Sequence, residues 1–106
     1  MITYEVFREL FYMIGDEPEF EVYFKNNSKM YMITKYKDYV TFQTSGSGEM
    51  KYKNLDELYH SELMDGICLK TDWENIEDII LWPIFDFSSP SDIEKIRKMY
   101  EMYGSA

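Results

Sequence analysis

The chain has 106 residues, and its 20 acidic and 11 basic side chains give a formal net charge of −9 at pH 7. The 45% hydrophobic and 18% aromatic content excludes an intrinsically disordered chain, and the length suits a single domain over residues 1–106. One cysteine and one histidine cannot build a disulfide framework, a cysteine-based metal cage or a multi-histidine site, so we expect neither a metal nor a cofactor.

The start of the chain does not resemble a secretory signal, because acidic Glu5 and Glu9 stand among its apolar residues and no basic segment precedes them. The longest strongly apolar run covers residues 79–85 and is interrupted by Pro83, whereas a membrane-spanning helix needs about 20 residues. A lone Cys68 fits a reducing compartment. The sequence therefore predicts a cytoplasmic protein without a membrane partner.

The first predicted element is a helix over residues 3–14. Thr3 can cap its start, and Gly15 followed by an acidic and proline-containing exit ends it. Its apolar side chains recur with the spacing of one helical face. These side chains are Phe7, Leu10, Phe11 and Ile14.

Four strands are predicted next, at residues 19–25, 29–35, 39–44 and 49–53. Apolar and polar residues alternate along the first strand, as they do when one face of a sheet is buried. The short turns between the strands make them neighbouring antiparallel strands, which is a meander. The side chains that we expect to face the core are Phe20, Val22, Phe24, Val40 and Phe42.

The second half of the chain carries three helix-start signals and one strand signal. Asn54 followed by Glu57 predicts a short helix, and the segment 71–74 reads as a capping box whose helical turn begins at Asp72. Residues 79–82 are β-type and predict an edge strand. Ser89 and Pro90 mark the start of a last helix. The apolar face of that helix is formed by Ile93, Ile96, Met99, Tyr100 and Tyr103.

Together these elements predict the α+β class, with an antiparallel β-meander of three to five strands and the N- and C-terminal helices packed on one face of it.

Two motifs that could suggest catalysis or phosphate binding are better explained by structure. Cys68 and His60 fit no nucleophile motif, so we interpret them as a buried, inert cysteine and a solvent-facing histidine. The Ser-Gly-Ser-Gly run at 45–48 lacks the lysine and the following helix of a phosphate-binding loop, and it reads as a hairpin turn. The sequence therefore favours a non-enzymatic protein.

Charge is unevenly spread along the chain. Residues 54–92 contain ten acidic side chains against Lys70 alone, whereas residues 21–53 contain six lysines and three acids. The lysines and tyrosines of the middle segment could form a surface that stacks single-stranded bases. Direct binding of nucleic acid is nevertheless disfavoured, because an acidic protein repels phosphate. The acidic surplus serves either solubility alone or the attraction of a basic partner.

The densest carboxylate group surrounds a tryptophan. Its order does not match a calcium-binding loop, which would need an oxygen ligand at the fifth position and glycine at the sixth. An aromatic side chain ringed by charge is typical of a protein-binding surface, although the tryptophan could equally be a core residue below a charged rim. The candidate partner-binding residues are Asp72, Trp73, Glu74, Glu77 and Asp78.

One stretch of the chain resembles a known group of proteins. After a strand-rich segment that starts at Glu21, it contains YKNLDEL at 52–58, Met-Asp-Gly at 64–66 and LKTDW at 69–73. In these features it is similar to small uncharacterised acidic proteins of bacterial and phage genomes. The resemblance covers about half of the chain and implies a non-enzymatic role.

The sequence therefore predicts a non-catalytic acidic module that binds a basic protein, as an immunity protein or an inhibitor of a nucleic-acid enzyme does. The alternative is a small ligand-binding domain or an enzyme that uses tyrosines and carboxylates of the sheet. A third possibility is a homodimer that forms through an exposed edge strand at 79–82.

Overall fold

The computed structural model describes the backbone of residues 1–104 and the side chains of residues 1–101. Four helices are present: α1 Tyr4–Met13, α2 Leu55–His60, α3 Leu69–Asp72 and α4 Pro90–Gly104. Six strands are present: β1 Glu19–Phe24, β2 Met30–Lys35, β3 Val40–Thr44, β4 Met50–Tyr52, β5 Ile76–Leu81 and β6 Phe85–Asp86. Short 3₁₀ turns occupy Met64–Gly66 and Trp73–Asn75. The predicted α+β class is confirmed.

All six strands form one antiparallel sheet in the order β4-β3-β2-β1-β5-β6. The first four strands form the predicted meander. β5 then returns to pair with β1, and β6 pairs with β5. The prediction of three to five strands was too low by at least one, because it did not include the two-residue β6.

The predicted edge strand at 79–82 is an inner strand in the structure. β5 has β1 on one side and β6 on the other, and Phe87 N donates to Ile79 O at 2.9 Å beyond the end of β6. These residues therefore offer no free edge to a second copy of the chain, and a homodimer would need a different surface.

One face of the sheet packs against the helices. Phe20, Val22 and Phe24 alternate along β1 and are buried. The ring of Phe20 lies 5.3 Å from that of Phe7 and 5.4 Å from that of Phe11, between centroids, so α1 covers the centre of this face. The predicted core residues of the sheet and of α1 are all buried, which confirms their assignment.

The last helix lies beside the first. The Arg97 guanidinium of α4 contacts the Glu9 carboxylate of α1 at 2.6 Å, and Ile96 is fully buried in the shared core. Of the other predicted apolar positions, Ile93 and Tyr100 are half-buried and Met99 is exposed. The side chain of Tyr103 lies outside the described residues. Within the described part of the chain, no helix has both the length and the apolar character needed to cross a membrane.

The opposite side of the sheet is called the open face here. The strand register assigns alternate residues of each strand to it, and most of their side chains are half-buried or exposed. The two exceptions are threonines on β2 and β3, which are buried. Its members are Glu19, Glu21, Tyr23, Met30, Met32, Thr34, Thr41, Gln43, Lys51, Asp78, Ile80 and Asp86.

Candidate functional site

Trp73 packs on the helix side of the sheet. Its indole Nε1 donates to Ile2 O at 3.0 Å. Its ring centroid lies 5.4 Å from that of Tyr4 and 5.6 Å from that of Phe7. Because these contacts tie Trp73 to the N-terminal segment and to α1, its principal role in the structure is packing.

The two neighbours of Trp73 differ in what they do. The Asp72 carboxylate accepts a hydrogen bond from Cys68 N at 2.9 Å and so closes the first turn of α3. A short helical turn does follow Asp72, namely the 3₁₀ turn Trp73–Asn75, but the predicted capping box was wrong, since Thr71 lies inside α3 and no side chain caps this turn. Glu74 is exposed and lines a groove of about 620 Å³ together with Trp73.

Asp78 lies in a different place. It belongs to the open face, where the register pairs it with Tyr23 of β1. Glu77 precedes it as an exposed residue at a register shift in β5. The structure therefore divides the five predicted residues. Trp73 and Glu74 lie beside the N-terminal segment, Asp72 caps α3, Glu77 lies at the register shift, and Asp78 lies on the open face.

Carboxylates from two other strands join Asp78 on the open face. The register places Glu21 of β1 opposite Ile80 of β5, and Ile80 opposite Asp86 of β6. Glu19 lies at the start of the same strand as Glu21. We call Glu19, Glu21, Asp78 and Asp86 the acidic half of the open face.

Hydrogen bonds hold three of these carboxylates in place. The Tyr23 hydroxyl donates to Glu21 Oε1 at 2.7 Å. The Ser88 hydroxyl donates to Asp78 Oδ1, and Ser88 N donates to Asp86 Oδ1, both at 2.7 Å. Ser88 thus joins β5 to the segment after β6 and keeps the two aspartates close together.

Burial and proximity shift two pKa values here. Desolvation, followed by the neighbouring Asp86 carboxyl, raises the pKa of Asp78 above its ordinary value, and the Ser88 hydroxyl opposes this. The hydrogen bond to Glu21 raises the pKa of the Tyr23 hydroxyl. Burial and a neighbouring carboxyl group contribute to both shifts, burial being the larger cause for Asp78 and the hydrogen bond to Glu21 the larger cause for Tyr23.

The ion pairs use other carboxylates, and the one nearest to this surface joins Lys95 to Asp92, whose carboxylate accepts from Asp86 N at 3.0 Å. Both arginines pair with acids on the helices: Arg8 with Asp56 at 2.9 Å, and Arg97 with Glu9 at 2.6 Å. In the part of the chain that the structure describes, no ion pair involves a carboxylate of the acidic half. Its negative charge is therefore not neutralised by the protein's own cations.

Apolar side chains lie next to the acidic half. Met30 is 37% exposed and pairs with Tyr23, while Met32 pairs with Glu21. Ile80 lies between Glu21 and Asp86 and is half-buried. Since methionine adapts its shape to a neighbour, this strip can be covered by a partner of variable contour.

The lysines of the middle segment do not form one basic surface. Lys29 pairs with Asp65 at 2.9 Å. Lys35 Nζ donates to the carbonyls of Phe11 and Ile14 at the end of α1. Lys51 stacks on the ring of Tyr39 at 4.7 Å.

Cys68 and His60 have separate surroundings. The Cys68 thiol is half-buried and lies 3.8 Å from Tyr59 O, while His60 Nδ1 lies 2.8 Å from Asp56 O on an exposed helix end. Among the described residues, no group of three histidine, cysteine, aspartate or glutamate side chains is placed to hold a metal ion.

Sequence reasoning missed Glu21 and Asp86 as members of the site. The alternation along residues 19–25 already placed Glu21 on the polar face of its strand, so that signal was present. Asp86 had no comparable signal, because it reaches the site only through the pairing of β6 with β5.

Comparison of the chain with known protein families, with curated proteins and with solved structures found no match in any of the three. The open face is therefore interpreted from its own chemistry.

Proposed function

We propose that this protein is a non-catalytic module that binds a basic protein partner, in the manner of an immunity protein or an inhibitor, and that the acidic half of the open face makes the contact. The observation that carries the proposal is the group of carboxylates Glu19, Glu21, Asp78 and Asp86 on a sheet face, where no ion pair of the described residues reaches them. A basic surface would supply the missing positive charge.

The chemistry of this surface favours a protein over the other large ligands. Nucleic acid presents phosphates, which these carboxylates repel. An open sheet face offers an extended contact area, as protein interfaces need, whereas small molecules bind in concave sites that enclose them. The exposed Met30 and half-buried Ile80 add apolar area that a protein partner can cover.

Binding would proceed in two physical steps. The net charge of −9 first raises the rate of encounter with a basic partner. The methionines and Ile80 then pack against the partner while the carboxylates pair with its lysines or arginines. Of the residues predicted from sequence, Asp78 belongs to this surface, whereas Asp72 and Trp73 are assigned structural roles.

The experiment compares two variants of equal net charge. Glu21→Gln, Asp78→Asn and Asp86→Asn together neutralise the acidic half. The matched control neutralises three exposed glutamates outside the open face, Glu5→Gln, Glu62→Gln and Glu74→Gln. Each protein is immobilised and exposed to a lysate of its native cell at about 50 mM salt, and retained proteins are identified by mass spectrometry.

We expect the wild type and the control variant to retain the same basic protein, and the variant of the acidic half to lose it. Retention should also fall in about 300 mM salt, because charge attraction is screened. Equal retention by all three proteins, or equal loss in both variants, would contradict the proposed surface. Circular dichroism and urea unfolding establish that both variants are folded.

The alternative of an enzyme or ligand-binding domain also has an observation in its favour. Tyr23, Glu21, Asp78 and Asp86 are adjacent, and the raised pKa of Asp78 is a feature of acid–base sites. Small-molecule binding at these groups would be measured as a shift of the Asp78 pKa by NMR titration in the presence of candidate ligands. Unchanged titration would count against this alternative.

A further inference from the structure

The turn between β5 and β6 exposes two large apolar side chains. Trp82 is 59% exposed and Ile84 is 71% exposed, more than any other large apolar side chain in the described part of the chain. The turn is held by backbone hydrogen bonds from Trp82 N to Glu19 O at 3.0 Å and from Ile84 N to Leu81 O at 3.2 Å. A fixed segment that displays a tryptophan and an isoleucine to water has the composition of a binding anchor.

A groove of about 230 Å³ lies beside this turn. Trp82 and Ile84 form one wall. The remaining apolar lining comes from the segment after α1, the end of β5, the same turn, β6 and α4, namely Ile14, Pro18, Leu81, Pro83, Phe85 and Tyr100. The groove is open and has room for one large apolar side chain of another molecule.

Two acidic side chains lie at the groove. Asp16 is part of its lining, and Glu17 lines the adjoining groove together with Asp16. Lys35 lies nearby, but its ammonium group donates to the carbonyls of Phe11 and Ile14. Lys37 lines the adjoining groove with Asp16 and Glu17, yet none of the described ion pairs joins them.

This charge decides between two occupants. A second copy of the chain would bring another net charge of −9 and the same acidic rim, so like charges would oppose its approach. A basic segment meets no such opposition. An arginine guanidinium can stack on an indole ring and pair with a carboxylate at the same time, which a lysine ammonium does less well.

We propose that the groove and the Trp82–Ile84 turn anchor a segment of the partner in which a large apolar side chain is adjacent to an arginine. The apolar side chain enters the groove, and the guanidinium stacks on Trp82 within reach of Asp16. This inference rests on the proposed function, since it places a second contact for the same basic partner at the turn between β5 and β6.

The test uses three synthetic peptides as probes. The first alternates arginine with leucine, the second replaces every leucine with serine at the same charge, and the third replaces every arginine with glutamate. Each is titrated into the ¹⁵N-labelled full chain, and two-dimensional NMR follows the indole signals of Trp82 and Trp73. We expect the first peptide to shift the Trp82 indole and the amides of Asp16 and Phe85, with smaller shifts for the other two peptides.

Two variants locate the contact. The double variant Trp82→Ser with Ile84→Ser should lower the affinity for the first peptide by about tenfold or more, which is the effect expected when an anchor residue is removed. Met50→Ser, which removes an exposed apolar side chain at the far edge of the sheet, should leave the affinity unchanged. Equal affinity of the arginine–leucine and arginine–serine peptides, or shifts that bypass Trp82, would overturn the inference.

Its failure can be told apart from failure of the proposed function. If the variant of the acidic half loses the cellular partner while the Trp82/Ile84 variant retains it, the anchor is refuted and the proposed surface stands. If only the Trp82/Ile84 variant loses the partner, the anchor stands and the proposed surface fails. Analytical ultracentrifugation tests the other occupant of the groove. If the wild type is a dimer and Trp82→Ser abolishes it, the groove binds a second copy of the chain, and the proposal of a basic partner segment is overturned.

Discussion

At the residue scale, Thr41 is the clearest departure from ordinary packing. Its Oγ1 is buried and has no hydrogen-bond partner among the described residues. The register places it in the middle of β3, between Thr34 of β2 and Lys51 of β4. A hydroxyl that gives up water without a replacement partner lowers the stability of the folded state.

We therefore predict that Thr41→Val raises the free energy of unfolding by about 1 kcal/mol, because the methyl group has the shape of the hydroxyl and needs no partner. Urea unfolding measures this change. The control is Thr44→Val on the same strand, whose hydroxyl donates to Met30 O at 2.8 Å. That variant should lose stability, and a change of the same sign in both would refute the interpretation.

The candidate site could be predicted only in part from individual residues. Acidic side chains that are neighbours in sequence, such as Asp72 and Asp78, end on different surfaces. Trp73 is held by Ile2, 71 positions away, and no local pattern reports such a contact. Glu21 and Asp86 reach the same face, on either side of Ile80, for the same kind of reason, since only strand pairing brings them there.

At the element scale, the capping residues in the sequence correctly predicted where two helices begin. The Thr3 hydroxyl accepts from Val6 N at 3.2 Å, and the Asn54 side chain accepts from Glu57 N at 2.8 Å, as the capping signals predicted. α3 was missed because the carboxylate that caps its start belongs to its last residue, Asp72, which the sequence pattern assigned only to the turn that follows. β6 was missed because two residues carry too little periodicity to be recognised.

Two helices are joined by one carboxylate. Asp56 of α2 accepts from the Tyr4 hydroxyl at 2.6 Å and from the Arg8 guanidinium at 2.9 and 3.0 Å. Arg8, and then the Tyr4 hydroxyl, hold the pKa of Asp56 below its ordinary value. A carboxyl with a lowered pKa in the folded state stabilises that state above its unfolded pKa, and this contribution is lost as the pH falls through the folded value.

We predict that Tyr4→Phe lowers the free energy of unfolding by about 1–2 kcal/mol at pH 7, where the hydroxyl bonds an ionised carboxylate. The difference from the wild type should shrink as the pH falls toward 2 and Asp56 takes up a proton. Urea unfolding at several pH values measures it. Tyr59→Phe is the control, because its ring stacks on Tyr4 at 3.5 Å but its hydroxyl has no hydrogen bond among the described contacts. A constant difference at all pH values would contradict this account.

At the scale of the whole molecule, one aromatic side chain joins the helix layer to the sheet. The ring of Phe7 lies 5.3 to 5.9 Å from those of Phe11, Phe20, Trp73 and Phe87, between centroids. These rings come from α1, β1, the 3₁₀ turn before β5 and the segment after β6. Packing against Phe7 therefore connects the N-terminal half of the fold to its C-terminal half.

Phe7→Ala should lower the free energy of unfolding by about 3–5 kcal/mol, since it removes buried area and leaves a cavity among rigid rings. Such a loss is a large part of the total stability of a small domain, about 5–15 kcal/mol. Tyr12→Ala on the same helix removes a half-exposed ring and is expected to have a much smaller effect. Thermal and urea unfolding compare the two, and equal losses would show that Phe7 is not the centre of the core.

The overall class and the meander of the first four strands followed from the sequence because alternation, helical spacing and short turns are local, whereas the places of β5 and β6 in the sheet did not. The return of β5 to β1 depends on burying Ile79 and Leu81 beside Val22 and Phe20, which are more than 50 residues earlier. The pattern of apolar residues along the chain is compatible with many strand orders, because each of them would bury the same residues. Their choice is made by the packing of the complete core.

The sheet ends on both sides in very short strands, β4 with three residues and β6 with two. Lys51 lies at the centre of β4, and a lysine on an outer strand discourages added strands. A strand from a neighbouring molecule would find few backbone groups on which to extend the sheet. The short outer strands thus oppose fibril growth even near the isoelectric pH, where the net charge of the chain no longer keeps molecules apart.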